Sequence, residues 1–408
     1  MESDEIMDDL EKNKCIESLI NEASRELESK GSLSHKVKNL INKNVLRRNI
    51  LHEDMIRWPK GILLLGLSST ESTDVICDYF DRWIESGAEV ISLEDVLAGQ
   101  VMLKIAIGSK NNLAGICNGH IENEAKPDKA YFYMKYCDKI ASFLSLYKRD
   151  EEGSLPYNVK AHNEHIYADS IGMICPFLMM YGLYMGEQKY ADMALLQIDN
   201  FMKNAMDEAK WLPYHGYRYR EHEKYGIIGW GRAAGWLMMG MSGCLNIVRI
   251  FESETQNDLD KNVLSDERTD LVTKRKLIRS DIQERTTKLK EYYDRLIDSV
   301  IRYQRADGLW GWNLTNDNSQ IDTSASAMIL YALSVYTPKD VGKKIQSIIS
   351  KGISGIEKYI TRDGRVMQCQ AECGGFGIYP DKFGSYPWSV GMTLALLAVK
   401  GKNDDDSM

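Results

Sequence analysis

Two kinds of helical segment alternate along this chain, and that alternation limits what it can fold into. One kind is amphipathic. Residues 189–209 (KYADMALLQIDNFMKNAMDEA), 128–149 and 289–304 set apolar side chains at helical spacing with polar ones opposite. The other kind opens on polar or aromatic residues and then runs small and apolar on every side. Six segments have this character: 58–67, 94–105, 169–181, 229–241, 322–333 and 386–398. A helix that is apolar all round has to be buried. Six buried helices interleaved with amphipathic ones predict an inner ring inside an outer ring, an all-α (α/α)6 barrel with an imperfect internal repeat. A helical solenoid shares the pattern and is the competing architecture. No strand-like alternation extends beyond a few residues, and only eight prolines interrupt 408 residues.

The barrel is expected to occupy 51–400 as a single domain. Residues 1–50 are charged and helix-prone and read as an N-terminal helical lead-in. Residues 254–288 mix both charges with few large apolar side chains and read as a polar surface insertion, a solvated helix. The tail 401–408 reads as disordered. Two stretches, 166–185 and 226–248, are apolar enough to suggest membrane spans. Asp169 and Arg232 lie within them and are costly in a bilayer, so buried helices of a large core explain both better.

The N-terminal MESDEIMDDLEKNK has neither the basic nor the apolar region of a secretory signal. Eight scattered cysteines form no CxxC pair and read as free thiols in a reducing compartment. Together these predict a cytoplasmic protein. The net charge of −8 argues against nucleic acid and anionic membranes as partners. It leaves room for an anionic small substrate beside a local arginine.

If the inner helices start at one common end, the polar residues at their starts line one cavity. The carboxylates there are Glu94, Asp95, Asp169 and Asp322. Paired carboxylates suit glycosidic chemistry, and Asp is equally a common helix cap. Asp169, in IYADSIGM, is singled out as a proton donor by its apolar and aromatic flanks. Trp58, Tyr167, Trp230, Trp236, Trp310, Trp312, Tyr386 and Trp388 fall near the same ends, where aromatic faces either stack on sugars or fill core. Arg232, inside GWGRAAGW, requires either an internal carboxylate or a ligand anion. His162 and His165 in AHNEHIYAD lack the HExxH spacing, and no metal site is expected. No phosphate-binding loop or serine nucleophile elbow is present.

In order along the chain, EDVLAGQVMLKI, YADSIGMICPFLMMYG, YHGY, GWGRAAGWLMMG, QRADGLW and DTSASAMILYAL resemble the unsaturated glucuronyl and rhamnogalacturonyl hydrolases, glycoside hydrolase families 88 and 105. The resemblance runs from about Trp58 to about Ala398. It implies an (α/α)6 barrel acting on oligosaccharides left by polysaccharide lyases, with no metal or organic cofactor. Such enzymes hydrate the 4,5-double bond of a terminal unsaturated uronic acid rather than attack the anomeric carbon. It implies Asp169 as general acid/base and Asp95, matched to the aspartate of a DHVxxG-like segment, as its carboxylate partner. Two close carboxylates repel, so one keeps its proton. His215 would touch the sugar, Arg232 and Trp236 would contact the uronate, and Trp230 and Trp58 would wall the cleft. The family often carries a histidine about eleven residues before the catalytic aspartate. That position is Asn158 here, and the nearer His162 takes its place as a candidate substrate contact. Ser170 and Ile171 replace the usual DG, and AECGGFGIYPDKFGSYPWSVG has no assigned counterpart. Two other readings stand beside this one: a different (α/α)6 sugar enzyme, such as an inverting glycosidase or an epimerase, and a non-catalytic saccharide-binding barrel.

Overall fold

The computed structural model describes residues 2–29, 56–87, 89–108, 129–157, 164–260, 266–338, 342–375 and 377–405. Among them twelve α-helices follow in chain order. They are α1 (Glu2–Glu28), α2 (Trp58–Ser68), α3 (Thr73–Glu85), α4 (Val96–Gly108), α5 (Lys129–Leu146), α6 (Ala168–Tyr184), α7 (Gln188–Asn204), α8 (Gly231–Asp260), α9 (Asp266–Val300), α10 (Thr323–Val335), α11 (Gly342–Glu357) and α12 (Pro387–Asp405).

The even-numbered helices are the small, apolar segments. Each packs on the next, and α12 returns to α2, so they close a ring, which a solenoid cannot do. The odd-numbered helices back them from outside: α3 on α2, α5 on α4, α7 on α6, α9 on α8 and α11 on α10. Helix α1, from the N-terminal lead-in, packs on α12 and α2 through buried Leu19, Ala23 and Leu27, taking the sixth outer place. The fold is an (α/α)6 barrel.

Small residues are the condition for closure. A Cβ on Gly66 would lie 2.4 Å from the Gly391 carbonyl oxygen, so α2 and α12 meet backbone to backbone at the seam of the ring. Gly172 and Gly240 let α6 and α8 touch in the same way, against the carbonyls of Trp236 and Ile171. The outer helices hold on by one face. In α3 that face is Ile76, Tyr79, Phe80 and Trp83, at the spacing of an amphipathic helix. Emptying the Trp83 site would cost about 3–5 kcal/mol.

The polar stretch 254–288 falls on the end of α8 and the first part of α9, with residues 261–265 outside the described set. Helix α12 runs to Asp405, so the tail expected to be disordered is helical through that residue, and 406–408 lie outside the described residues. Within α8, Gly231–Thr255 is long and apolar enough to cross a membrane, and 78% of its most apolar window is buried in the barrel. Ring neighbours already cover that surface.

Two small antiparallel sheets sit at the mouth of the ring. The first joins β1 (His165–Tyr167), β2 (Gly216–Arg218) and β3 (Glu223–Tyr225), with Tyr167 opposite Gly216. The second joins β4 (Cys369–Gln370) to β5 (Phe383–Gly384) and presents the loop between them to the same mouth.

Candidate active site

The starts of the inner helices converge on a cavity of about 210 Å³ lined by Trp58, Glu94, Tyr157, Tyr167, Asp169, His215, Trp230, Arg232, Trp236 and the loop residues Glu372–Gly375. Helix N-termini carry partial positive charge, so a ring of them favours an anionic ligand. The cavity is smaller than the roughly 300 Å³ at which drug-sized sites begin, which suits one terminal sugar ring rather than a long chain.

Asp169 lies in the first turn of α6, just past the extended cap residue Tyr167. Its Oδ2 is buried without a hydrogen bond, and His215 Nε2 stands 3.5 Å away. A buried polar oxygen without a partner is costly, so this one is set up to meet a ligand or a proton. The three-stranded sheet explains why these two residues meet. Strand β1 runs directly into Asp169, β2 begins one residue after His215, and the Ala168 N–H donates to the His215 carbonyl at 3.0 Å. The imidazole stacks on Tyr167 with centroids 4.8 Å apart and lies 4.2 Å from Trp230.

Arg232 is buried in the first turn of α8. Its Nη1 donates to the Gln370 carbonyl at 2.8 Å and faces Asp322 Oδ2 at 3.4 Å, and Nη2 donates to the Ala371 carbonyl at 2.9 Å. Trp230 presents its ring 4.8 Å from the guanidinium. The arginine thus has an internal carboxylate and still lines the cavity. Two of its five donors are not used by these bonds.

Asp95 does not take the place expected of it. Its Oδ2 accepts the N–H groups of Ile91 at 2.9 Å and Ser92 at 3.0 Å, closing a capping box on the 3-10 turn Leu93–Asp95. A carboxylate turned onto its own backbone is a cap. Its neighbour Glu94 faces the cavity instead, with Arg57 Nε at 2.7 Å on Oε2 and the Tyr157 hydroxyl donating to Oε1 at 2.8 Å. The motif carried the signal. Counted back from Val96 and Gly99, the acid of a DHVxxG pattern falls on Glu94. Burial holds the Tyr157 phenol well above its ordinary range, and the charges of Glu94 and Asp169 add to this.

The other expected residues divide. Trp58, Tyr167, Trp230 and Trp236 line the cavity, and Trp58 packs edge-on to Trp236 with centroids 6.1 Å apart. Trp388 stands behind Trp58, and Tyr386 stacks on Trp388. Trp310 is core, its Nε1 bonded to the Val300 carbonyl at 2.9 Å. His162 and Asn158 lie outside the described residues.

The β4–β5 loop forms a wall that sequence reasoning left unassigned. Glu372 accepts the Trp58 Nε1–H at 3.2 Å, and Tyr379 reaches His215 Nδ1 at 3.1 Å. Burial pushes the Cys373 thiol up to about 11, with the Asp169 charge adding to it, so at neutral pH it is a protonated thiol rather than a nucleophile. Seven cysteines, all those described, are free.

The closed barrel thus gathers at one mouth an acid with a buried unpaired oxygen, an arginine and an aromatic wall. The sequence profile of Glycosyl Hydrolase Family 88 matches residues 37–399, and the chain belongs to that family. It is similar to the unsaturated rhamnogalacturonyl hydrolase YesR of Bacillus subtilis (strain 168), with 21% identity over 382 residues, 89% of this chain and 94% of that one. Among solved structures it resembles a possible member of the GH105 family from Klebsiella pneumoniae subsp. pneumoniae MGH 78578. The TM-score is 0.71 at 17% identity, covering 95% of this chain and 93% of that one. It also resembles an unsaturated glucuronyl hydrolase from Bacillus sp. GL1, with a TM-score of 0.61 at 14% identity over 95% and 96% of the two chains. At these identities the structural likenesses speak for the fold.

Proposed function

We propose that this enzyme removes a 4,5-unsaturated uronic acid from the non-reducing end of oligosaccharides produced by polysaccharide lyases. The observation that carries the reading is the unpaired, buried Oδ2 of Asp169 beside His215, in a cavity of one-ring size that also holds Arg232. Asp169 delivers a proton to C4, and the electron pair of the double bond forms the new C–H bond. The positive charge left at C5 is shared with the ring oxygen. Water adds at C5 and returns a proton to the Asp169 carboxylate. The resulting hemiketal opens and rearranges, and the neighbouring sugar departs.

Glu94 replaces Asp95 as the second carboxylate of the site, orienting the attacking water with Tyr157 beside it. Arg232 and the converging helix N-termini favour the uronate carboxylate, Trp236 and Trp230 stack on the ring, and Trp58 closes the cleft. Free thiols throughout the described residues suit a cytoplasmic enzyme that handles imported fragments.

The test is a panel of 4,5-unsaturated uronyl disaccharides, followed by loss of the double bond's ultraviolet absorbance. Loss with the wild type but not with Asp169→Asn is the expected result. No loss across the panel, with turnover of saturated oligosaccharides instead, would replace hydration by ordinary glycosidic hydrolysis.

A further inference from the structure

The Tyr379 hydroxyl touches the ring nitrogen of His215 that faces away from Asp169. Its oxygen accepts the Ile227 N–H at 3.2 Å, and the Gly377 N–H also favours its ionised form, so both backbone donors are directed at it. The phenol itself is mostly buried, and burial suppresses its ionisation, so it keeps its proton. Among the described residues the acceptor in reach of that proton is His215 Nδ1, at 3.1 Å. If Nδ1 carried the hydrogen instead, three donors would crowd one phenol oxygen. The phenol's own proton would then be buried without an acceptor, an arrangement proteins avoid.

The surroundings hold the tyrosine at this point. Trp230 and Trp312 lie against its ring with centroids 5.6 and 5.7 Å away. Gly226 passes under the contact at φ +81°, where a Cβ would lie 2.5 Å from the phenol oxygen and 2.6 Å from the His215 Cβ. The glycine is therefore required by the contact itself as well as by its backbone angle.

We infer that Tyr379 is a positioning residue that keeps the hydrogen off His215 Nδ1 and so places it on Nε2, directed at Asp169 Oδ2. The inference deepens the hydration reading and rests on it for its consequence. Nε2 stays 3.5 Å from Oδ2, so that oxygen remains open to a ligand, and a hydrogen on Nε2 keeps the imidazole from taking the proton that Asp169 passes to the substrate. In the opposite tautomer a bare Nε2 would accept that proton and withdraw it from the reaction. A hydrogen bond to the far nitrogen is a general way to fix a histidine tautomer, and here the group that supplies it comes from the β4–β5 loop.

The experiment is nitrogen NMR of the full-length, ligand-free protein with 15N-labelled histidine, the His215 signals being assigned by their loss in His215→Gln. The expected wild-type spectrum has a protonated Nε2 and a bare, hydrogen-bonded Nδ1. Tyr379→Phe, which keeps the ring and its packing, should move the Nδ1 signal and populate the other tautomer. With substrate, the same variant should lower kcat at least tenfold while KM changes less than twofold. A wild-type His215 with its hydrogen on Nδ1, or a Tyr379→Phe spectrum identical to wild type, overturns the inference. Should Tyr379→Phe fold poorly by circular dichroism, the wild-type spectrum decides by itself, a hydrogen-bonded Nδ1 without hydrogen supporting the inference and a hydrogen on Nδ1 overturning it. The spectrum is read without substrate, so it stands or falls apart from the hydration reading, which fails only if the wild type leaves every unsaturated disaccharide intact.

Discussion

Asp169 and Asp322 each stand at the start of an inner helix, at the same mouth of the ring, among small and apolar residues, yet their surroundings differ in kind. Asp322 is fully occupied. Its Oδ1 accepts from the Ser324 N–H at 3.0 Å, the Ser324 hydroxyl at 2.6 Å and the Gln370 N–H at 3.3 Å, and its Oδ2 faces Arg232. The Oδ2 of Asp169 has no hydrogen bond at all. A carboxylate whose lone pairs are spent on helix cap, hydroxyl and guanidinium serves the fold. One left unspent in a cavity stores the cost of burial until a ligand arrives. Position along the barrel is therefore a poor guide to function, and saturation of the oxygens is a better one.

The sharpest way to break this contrast is to neutralise each carboxylate. Asp169→Asn should lower kcat/KM by about 10³-fold, in the range of a lost general acid, roughly 4 kcal/mol of barrier. Its unfolding midpoint in urea should stay near wild type. A variant retaining a tenth of the activity would remove Asp169 from the chemistry. Asp322→Ala should do the opposite and lower unfolding stability by about 3–5 kcal/mol, because Arg232 would keep a buried charge without its carboxylate. An Asp322→Ala protein as stable as wild type would mean that the carbonyls of Gln370 and Ala371 suffice to hold the guanidinium.

The two walls of the cavity also differ in how far the sequence disclosed them. The ring was legible because an all-apolar helix has one place to go, and six of them must share it. Asp169, His215, Arg232, Trp236 and Trp230 were found by motif and Trp58 by its place at a helix start, and the structure brings all six to one cavity. Glu94 and Asp95 were distinguishable only by their register in the VxxG pattern, because adjacent residues of a 3-10 turn point in different directions. The wall from Glu372 to Tyr379 was not legible. Its contacts to Trp58 and His215 cross 314 and 164 residues of chain, and nothing local in a glycine-rich loop announces such partners.

The adjacent pair sharpens the comparison on a smaller scale. Glu94→Gln should lower kcat by about 10²-fold with stability near wild type, since its charge faces the cavity and its Arg57 bridge is partly exposed, worth at most about 1 kcal/mol. Asp95→Ala should leave kcat within twofold and cost about 1 kcal/mol of stability, the usual worth of a cap. If Asp95→Ala were the inactive one, the original pairing of Asp169 with Asp95 would return.

Asp95 offers one more test, small in size but clear in sign. Burial raises its carboxyl above the ordinary range, against hydrogen bonds from Ile91 and Ser92 that pull it down. A raised folded value means that the folded chain holds this proton more tightly than the unfolded chain does. The stability gained is complete below about pH 4, where the unfolded carboxyl is also protonated, and is lost as pH rises through the raised folded value. Asp95→Asn keeps a carbonyl acceptor for the cap and has nothing to titrate. In melting experiments from about pH 3.5 to 7, wild type should gain on Asp95→Asn as the pH falls. A gap that instead widened in favour of wild type toward neutral pH would show that the capping bonds outweigh burial. The charged form of Asp95 would then be the one the fold prefers.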